Sequence, residues 1–284
     1  LNILTFSFES SAVLRGANAS TVTIAGLRGA VVNPGAASLL SATGGGGGES
    51  LFCDGPVRRV GRWETDQQGV PRLWLKLCAD ASMQANVTYG FSAEVRNPAE
   101  AQSAPSVSIS AEGTFTAAPV EMEPSNATLL GVSNGGAPLM VIVPEFIERR
   151  IGQRTPLSRQ ENTISMTLTP NVDLAAADGS AVTISGLPGE EHPPNQPVNF
   201  RALSPGEGAA GLIGPAPPPA ITVDAAMFDA ARGVMILYIF RGQRMRAGVR
   251  YVLAFNVTNV ATTRESPRIE VSASGTAAFR PMLV

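Results

Sequence analysis

Apolar and polar side chains alternate along the first residues of the chain. Leu4, Phe6 and Phe8 fall on one parity, Ile3, Thr5 and Ser7 on the other. The same period of two recurs where Val22 and Ile24 flank Thr23, and where Val107 and Ile109 flank Ser108. It returns where Val249, Tyr251 and Leu253 alternate with Arg250 and Val252. A period of two sends one side chain into a core and the next outward, and predicts half-buried β-strands. Residues 73–77 (Leu-Trp-Leu-Lys-Leu) and 235–239 (Met-Ile-Leu-Tyr-Ile) are more continuously apolar and read as central strands covered on both faces. Helix signals are few. Residues 223–231 are expected to form one short helix with Asp224 as a cap.

The strand pattern repeats. Asn2 through Phe8 lines up with Asn162 through Leu168, and Ser20 through Gly29 with Ser180 through Gly189, both at an offset of 160. Later blocks match at an offset of 162. Val87, Tyr89, Phe91, Val95 and Asn97 fall on Val249, Tyr251, Leu253, Val257 and Asn259. Residues 110–114 fall on 272–276, and Pro105 and Pro119 fall on Pro267 and Pro281. Self-similarity at this spacing predicts two copies of one structural unit. The expected organisation is repeat 1 over 1–119, a joining segment over 120–161 and repeat 2 over 162–284. The middle of each repeat does not match and is expected to be loop. Each unit is expected to be an antiparallel β-sandwich of immunoglobulin-like type, giving an all-β chain.

Composition narrows the function. Only 15% of the 284 residues are charged, 44% are hydrophobic, and 29 glycines and 22 prolines supply turns. That balance fits many short strands rather than a disordered or solvated helical chain. A net charge of −2 gives no basic field for nucleic acid. No apolar run approaches the roughly 18–20 residues of a membrane helix, so no membrane insertion is expected. The chain starts inside a strand pattern at Leu1, which reads as a processed chain whose targeting segment was removed.

Candidate chemistry is sparse. Cys53 and Cys78 are either one disulfide or two buried thiols, and the disulfide is the expectation. The single histidine, His192, lies in a Glu-Glu-His-Pro-Pro stretch and reads as a solvated loop residue; one histidine cannot build a multi-histidine metal site. The run Gly44 to Gly48 lacks the Lys-Ser/Thr of a phosphate loop. Asp178-Gly179 is a hairpin-turn signal. Glu121, Glu123, Glu145 and Glu148 read as acidic surface rather than a calcium site. Trp74 is expected in a core, and Trp63 is the other tryptophan. No acid–base constellation is present, so no enzyme and no cofactor is expected. Asn18, Asn86, Asn126 and Asn256 open Asn-X-Ser/Thr sequons and are the expected glycosylation sites.

The joining segment contains an unusual apolar run: Leu139, Met140, Val141, Ile142 and Val143. A bare linker is polar. The run is either a strand on a sandwich of its own chain or a strand added to a neighbouring molecule. The first strand, with Leu4, Phe6 and Phe8, is expected to take part in assembly too. The joining segment 120–161 precedes the matching strand at Asn162, whereas the first strand opens the sequence, so its edge is expected to be open to a neighbour's strand or to a chain segment outside these residues.

The stretches 151–157 (Ile-Gly-Gln-Arg-Thr-Pro-Leu), 162–168 and 182–187 resemble the tandem Ig-like repeats of large extracellular proteins of algae and other protists, some similar to proteins of surface fibrils and mastigonemes. The resemblance implies a surface or fibrillar role and sugar-bearing loops. The expected function is therefore a structural subunit of an extracellular glycoprotein fibril or coat, whose partners are copies of itself, joined head to tail through sheet edges. The alternative is a monomeric cell-surface adhesion or carbohydrate-binding module.

Overall fold

The structure is a computed structural model, and it describes residues 1–42, 47–187, 200–202, 223–229, 232–239, 241–262, 265–275 and 277–284. The chain divides into two compact units. Unit 1 comprises Leu1–Ala127 with Gly136–Ile142, and unit 2 comprises Thr128–Gly135 with Val143–Val284. The stretch expected as one joining piece over 120–161 is thus shared out between the units.

Unit 1 contains β1 (Asn2–Phe8), β2 (Thr21–Ala25), β3 (Ala37–Ala42), β4 (Val60–Thr65), β5 (Pro71–Lys76), β6 (Tyr89–Val95), β7 (Ser108–Glu112) and β8 (Ala117–Glu121). They are hydrogen-bonded in the order β1-β6-β3-β4-β5-β2-β7-β8, with every pair antiparallel. β3 joins the two halves: Leu40 to Ala42 pair with β6, and Ala37 to Leu39 pair with β4. The halves enclose one core. Leu4, Phe6 and Phe91 from one side and Val22, Ile24, Leu73 and Leu75 from the other are all buried there. Each such side chain contributes roughly 1.5–3 kcal/mol of burial.

Unit 2 contains β9 (Phe146–Gln153), β10 (Glu161–Pro170), β11 (Ala181–Ser185), β12 (Phe200–Ala202), β13 (Val223–Asp229), β14 (Val234–Ile239), β15 (Tyr251–Thr258), β16 (Glu270–Ser274) and β17 (Phe279–Leu283). They form a sheet β9-β10-β15-β12 and a second sheet β13-β14-β11-β16-β17, both antiparallel. Both units are antiparallel β-sandwiches of immunoglobulin-like type, and the chain is all-β.

The sequence repeat is also a repeat of register. Asn2↔Val95 and Phe8↔Tyr89 in unit 1 correspond to Asn162↔Val257 and Leu168↔Tyr251 in unit 2. The hydroxyls of Tyr89 and Tyr251 each accept a backbone N–H five residues earlier, from Gln84 at 2.9 Å and Arg246 at 2.7 Å. Burial pushes the Tyr251 phenol above its ordinary pKa. The matched glycines have a backbone reason. Gly26 and Gly186 both have positive φ, and a Cβ there would lie 2.3 and 2.0 Å from the carbonyl oxygens of Ser106 and Arg268.

Three expectations need correction. The middles of the repeats, expected as loop, carry β3 and β4 in unit 1 and β12 and β13 in unit 2. Residues 223–229 are strand β13, paired with β14, and not a helix; the sheet overrides the helix propensity of the alanines. The apolar run at 139–143 is not a strand. Leu139 has φ 56 in a turn, and only Val141 bridges to Gln102. The strand of the joining stretch is instead β9, the charged sequence that follows.

Candidate assembly edge

Unit 2 shows an occupied sheet edge. β10 pairs with β15 on one side and with β9 on the other, from Phe146↔Pro170 to Gln153↔Ile164. Three polar fastenings hold β9. At its start the Asn171 side chain accepts from the Glu145 N–H at 2.9 Å and donates to the Val143 carbonyl at 2.9 Å. In its middle the Glu148 carboxylate accepts from the Arg250 guanidinium at 2.7 and 2.9 Å and from the Thr169 hydroxyl at 3.1 Å. Burial opposes ionisation of Glu148. The hydrogen bonds of Arg250 and Thr169 and the charges of Arg250 and Arg150 outweigh it and hold the carboxyl below the usual glutamate range.

The third fastening lies just beyond the end of β9. Asn162 is only 1% exposed. Its oxygen accepts the N–H groups of Arg154 and Thr155, both at 3.0 Å, and its amide donates to Gln153 at 3.0 Å and to Asn259 at 2.9 Å. Asn259 in turn donates to the carbonyls of Thr155 and Leu157 at 2.9 and 2.8 Å. An apolar anchor completes the attachment: the fully buried Phe146 ring meets Phe279 at a centroid distance of 4.7 Å.

Unit 1 has the same edge without a covering strand. β1 pairs with β6, and no described strand lies on its other side. Asn2 donates to Asn97 at 2.9 Å, reproducing the Asn162–Asn259 pair. Among the described residues, the Asn2 carboxamide oxygen accepts no hydrogen bond. The position of Thr169 is held by Glu9, that of Arg250 by Thr88 and that of Asn171 by Ser11. Glu9 is exposed and, among the described residues, meets only the Thr88 hydroxyl, at 3.4 Å. Leu1 and Ile3 are 88% and 60% exposed.

The residues singled out in the sequence fall on both sides of this edge. Leu4 and Phe6 are buried in the unit 1 core and Phe8 is packed against it, so what β1 can offer a neighbour is its backbone and its outward residues. Leu139 is also buried in that core. Its carbonyl accepts from the Gln102 amide at 2.8 Å, so the run stays on its own chain at this point. Met140, Val141 and Ile142 are half-buried, and Val143 is exposed.

Cys53 and Cys78 form a disulfide with their Cα atoms 5.0 Å apart. It ties the short hairpin Cys53–Asp54/Val57–Arg58 to the end of β5. Asn18, Asn86 and Asn126 are exposed. Asn256 is exposed too, but its amide is in use: it accepts from Thr163 at 3.0 Å and donates to Glu161 at 2.8 Å. Trp63 is the core tryptophan, at 4% exposure. Trp74 is half-buried on the face opposite Leu73 and Leu75, so β5 is covered on one face more than on the other. Gly179 has φ 66 but ends a short 3-10 turn rather than a two-residue hairpin. His192 and Gly44 to Gly46 lie outside the described residues. Among the described residues no cluster of three or more His, Cys, Asp or Glu could hold a metal ion, and no helix is long and apolar enough to cross a membrane.

No protein-family model matches the chain, and no curated protein matches it in sequence. Among solved structures it is similar to the C-terminal domain of the antigen I/II polypeptide BspA of Streptococcus agalactiae, at 9% identity and a TM-score of 0.43, covering 99% of this chain and 89% of that one. It is similar to the C-terminal domain of the antigen I/II-family protein AspA of Streptococcus pyogenes, at 9% identity and a TM-score of 0.44, covering 99% and 90%. A partial N-terminal region of an enterococcal surface protein matches at 9% identity and a TM-score of 0.29, covering 97% and 86%. These are bacterial proteins, not the algal and protist repeats that the sequence resembles. The all-β assignment rests on the strands themselves.

Proposed function

We propose that this chain is a structural building block of an extracellular, cell-surface layer or fibril, joined to its neighbours by β-strand addition at the β1 edge. The observation that carries this reading is the contrast within the molecule: the same edge strand occurs twice, covered in unit 2 and, among the described residues, uncovered in unit 1. An uncharged edge strand with free backbone groups is a template for another strand. The disulfide suits an oxidising compartment, and the exposed Asn18, Asn86 and Asn126 suit glycans that project from such an assembly. The neighbour expected from the sequence is another copy of the chain. A heterologous contact of that kind, repeated without closing, builds a filament.

Electron microscopy and sedimentation of the protein from its native source test this reading. Long assemblies are expected. A monodisperse monomer would overturn it and return the alternative, a free-standing adhesion or carbohydrate-binding module. Glycopeptide mass spectrometry on the same material should find sugars on Asn18, Asn86 or Asn126 ahead of Asn256, whose amide is engaged.

A further inference from the structure

We propose that the outward face of β5 in unit 1 binds an acidic sugar chain, with the Trp74 indole as the stacking surface and Lys76 as the receptor for a sugar carboxylate. This inference goes beyond the building-block reading and does not depend on the β1 edge.

β5 lies inside its sheet, paired with β2 on one side and β4 on the other. Leu73 and Leu75 are buried in the core, so Arg72, Trp74 and Lys76 stand on the outward face. Trp74 is half-buried there, with Thr23 and Arg62 as its cross-strand neighbours, and Thr21 stands opposite Lys76. Unit 2 repeats the register with other side chains. Thr183↔Ile236 and Ala181↔Tyr238 take the places of Thr23↔Trp74 and Thr21↔Lys76. The fold therefore demands neither the tryptophan nor the lysine.

The charges around the ring single out Lys76, the one lysine of the chain. Asp54 is paired with Arg62 and Glu64 with Arg72, both at 2.8 Å, and Asp80 is paired with Arg58. Glu112 is on the same face but two strands away. Among the described residues the Lys76 ammonium has no hydrogen-bond or ion-pair partner. Lys76 lines a cleft of about 290 Å³ together with Arg58, Asp80 and the Cys53–Cys78 bridge. That bridge holds the hairpin Cys53–Asp54/Val57–Arg58, which forms one wall. The volume is at the lower end for ligand pockets and suits one sugar residue, the rest of the chain lying on the sheet.

Two residues along a strand separate Trp74 from Lys76 by about 7 Å, the step from one sugar ring to a charged group on the next. A pyranose turns a face of C–H groups to the electron-rich face of an indole. A carboxylate takes an ammonium through a charge-assisted hydrogen bond. An acidic peptide fits less well, because an interior strand has no free backbone groups with which to pair it.

The test titrates the full chain with trigalacturonate, maltotriose and tetraglutamate. Tryptophan fluorescence reports on the ring. Reductive ¹³C-methylation reports on Lys76, since no other side chain is a lysine. Trigalacturonate is expected to change both signals and to bind about tenfold tighter than maltotriose, through the charge-assisted contact. Lys76→Gln should remove that preference and leave maltotriose as it was. Trp74→Ile, which installs the residue of the matched unit 2 position, should weaken both sugars about tenfold. Salt should weaken trigalacturonate alone. No binding of trigalacturonate at millimolar concentration, equal binding of the two sugars, tetraglutamate binding as tightly as trigalacturonate, or an unchanged affinity in Lys76→Gln would overturn the proposal. A monomeric chain that binds trigalacturonate at Lys76 keeps this inference and discards the building-block reading. An assembling chain that does not bind it does the reverse.

Discussion

β1 and β10 are the same strand twice, yet β10 is an interior strand and β1 an edge. Both pair with their partner in one register, and both place an asparagine against a second asparagine at the same point. The strand that separates them, β9, has no counterpart among the described residues of unit 1. The substitutions between the two edges follow that difference. Where β9 is fastened, unit 2 has Asn171, Thr169 and Arg250; at those positions unit 1 has Ser11, Glu9 and Thr88. Phe279, which packs on Phe146, is matched by Ala117. The repeat thus preserves the sandwich and varies the edge, as expected if the edge rather than the fold carries the difference in role.

The largest break in the comparison should come from the apolar anchor. Phe146→Ala removes a fully buried ring and should destabilise unit 2 by about 3–4 kcal/mol. Denaturant titration followed by hydrogen exchange should show Glu161–Pro170 losing protection while Asn2–Phe8 stays as it was. Reduction of Cys53–Cys78 should act on the other unit. The loop-entropy model gives about 3 kcal/mol for a separation of 25 residues. Only unit 1 should lose thermal stability in calorimetry with and without reductant.

A matched pair of substitutions sharpens the contrast. Asn162→Ala leaves two backbone N–H groups and two side-chain partners short and should cost about 2–3 kcal/mol. Asn2→Ala, at a partly exposed position with one bond, should change the isolated chain by no more than about 0.5 kcal/mol. Equal losses would mean that the two edges are equally built.

The smallest effect is on pH. The folded state holds Glu148 below its ordinary pKa, so its contribution is present above the unfolded value and is lost as pH falls through the folded one. Attachment of β9 should therefore loosen in acid, below the usual glutamate range. Glu148→Gln should flatten that part of the stability–pH curve, measured by denaturant midpoints.

The repeat and the strands β1, β2, β6, β7, β10, β11, β15 and β16 were legible because their alternation is unbroken and their offset constant. β9 was not. Its sequence, Phe-Ile-Glu-Arg-Arg-Ile-Gly-Gln, puts three charges in the middle, and the apolar run just before it drew the strand assignment instead. Two of those charges are fastened to the rest of unit 2, Glu148 by Arg250 and Thr169 and Arg149 by the Leu283 carbonyl, whereas Leu139 sits buried in a turn, held by the core and by the Gln102 amide on its carbonyl. β3 and β13 were hidden by alanine and serine, residues that pair through the backbone without a β-forming signature. The meaning of Glu9 at the position of Thr169 was not legible either, since it requires knowing that Glu148 of β9 sits opposite Thr169.

The central claim is that the β1 edge is the joining surface, and hydrogen exchange reads it directly. Asn2–Phe8 should be compared in the isolated chain and in the assembled protein from its native source, with Glu161–Pro170 as the internal reference. The account predicts fast exchange at β1 in the isolated chain, slow exchange in the assembly, and no change at β10. Exchange at β1 that is the same in both preparations would contradict it.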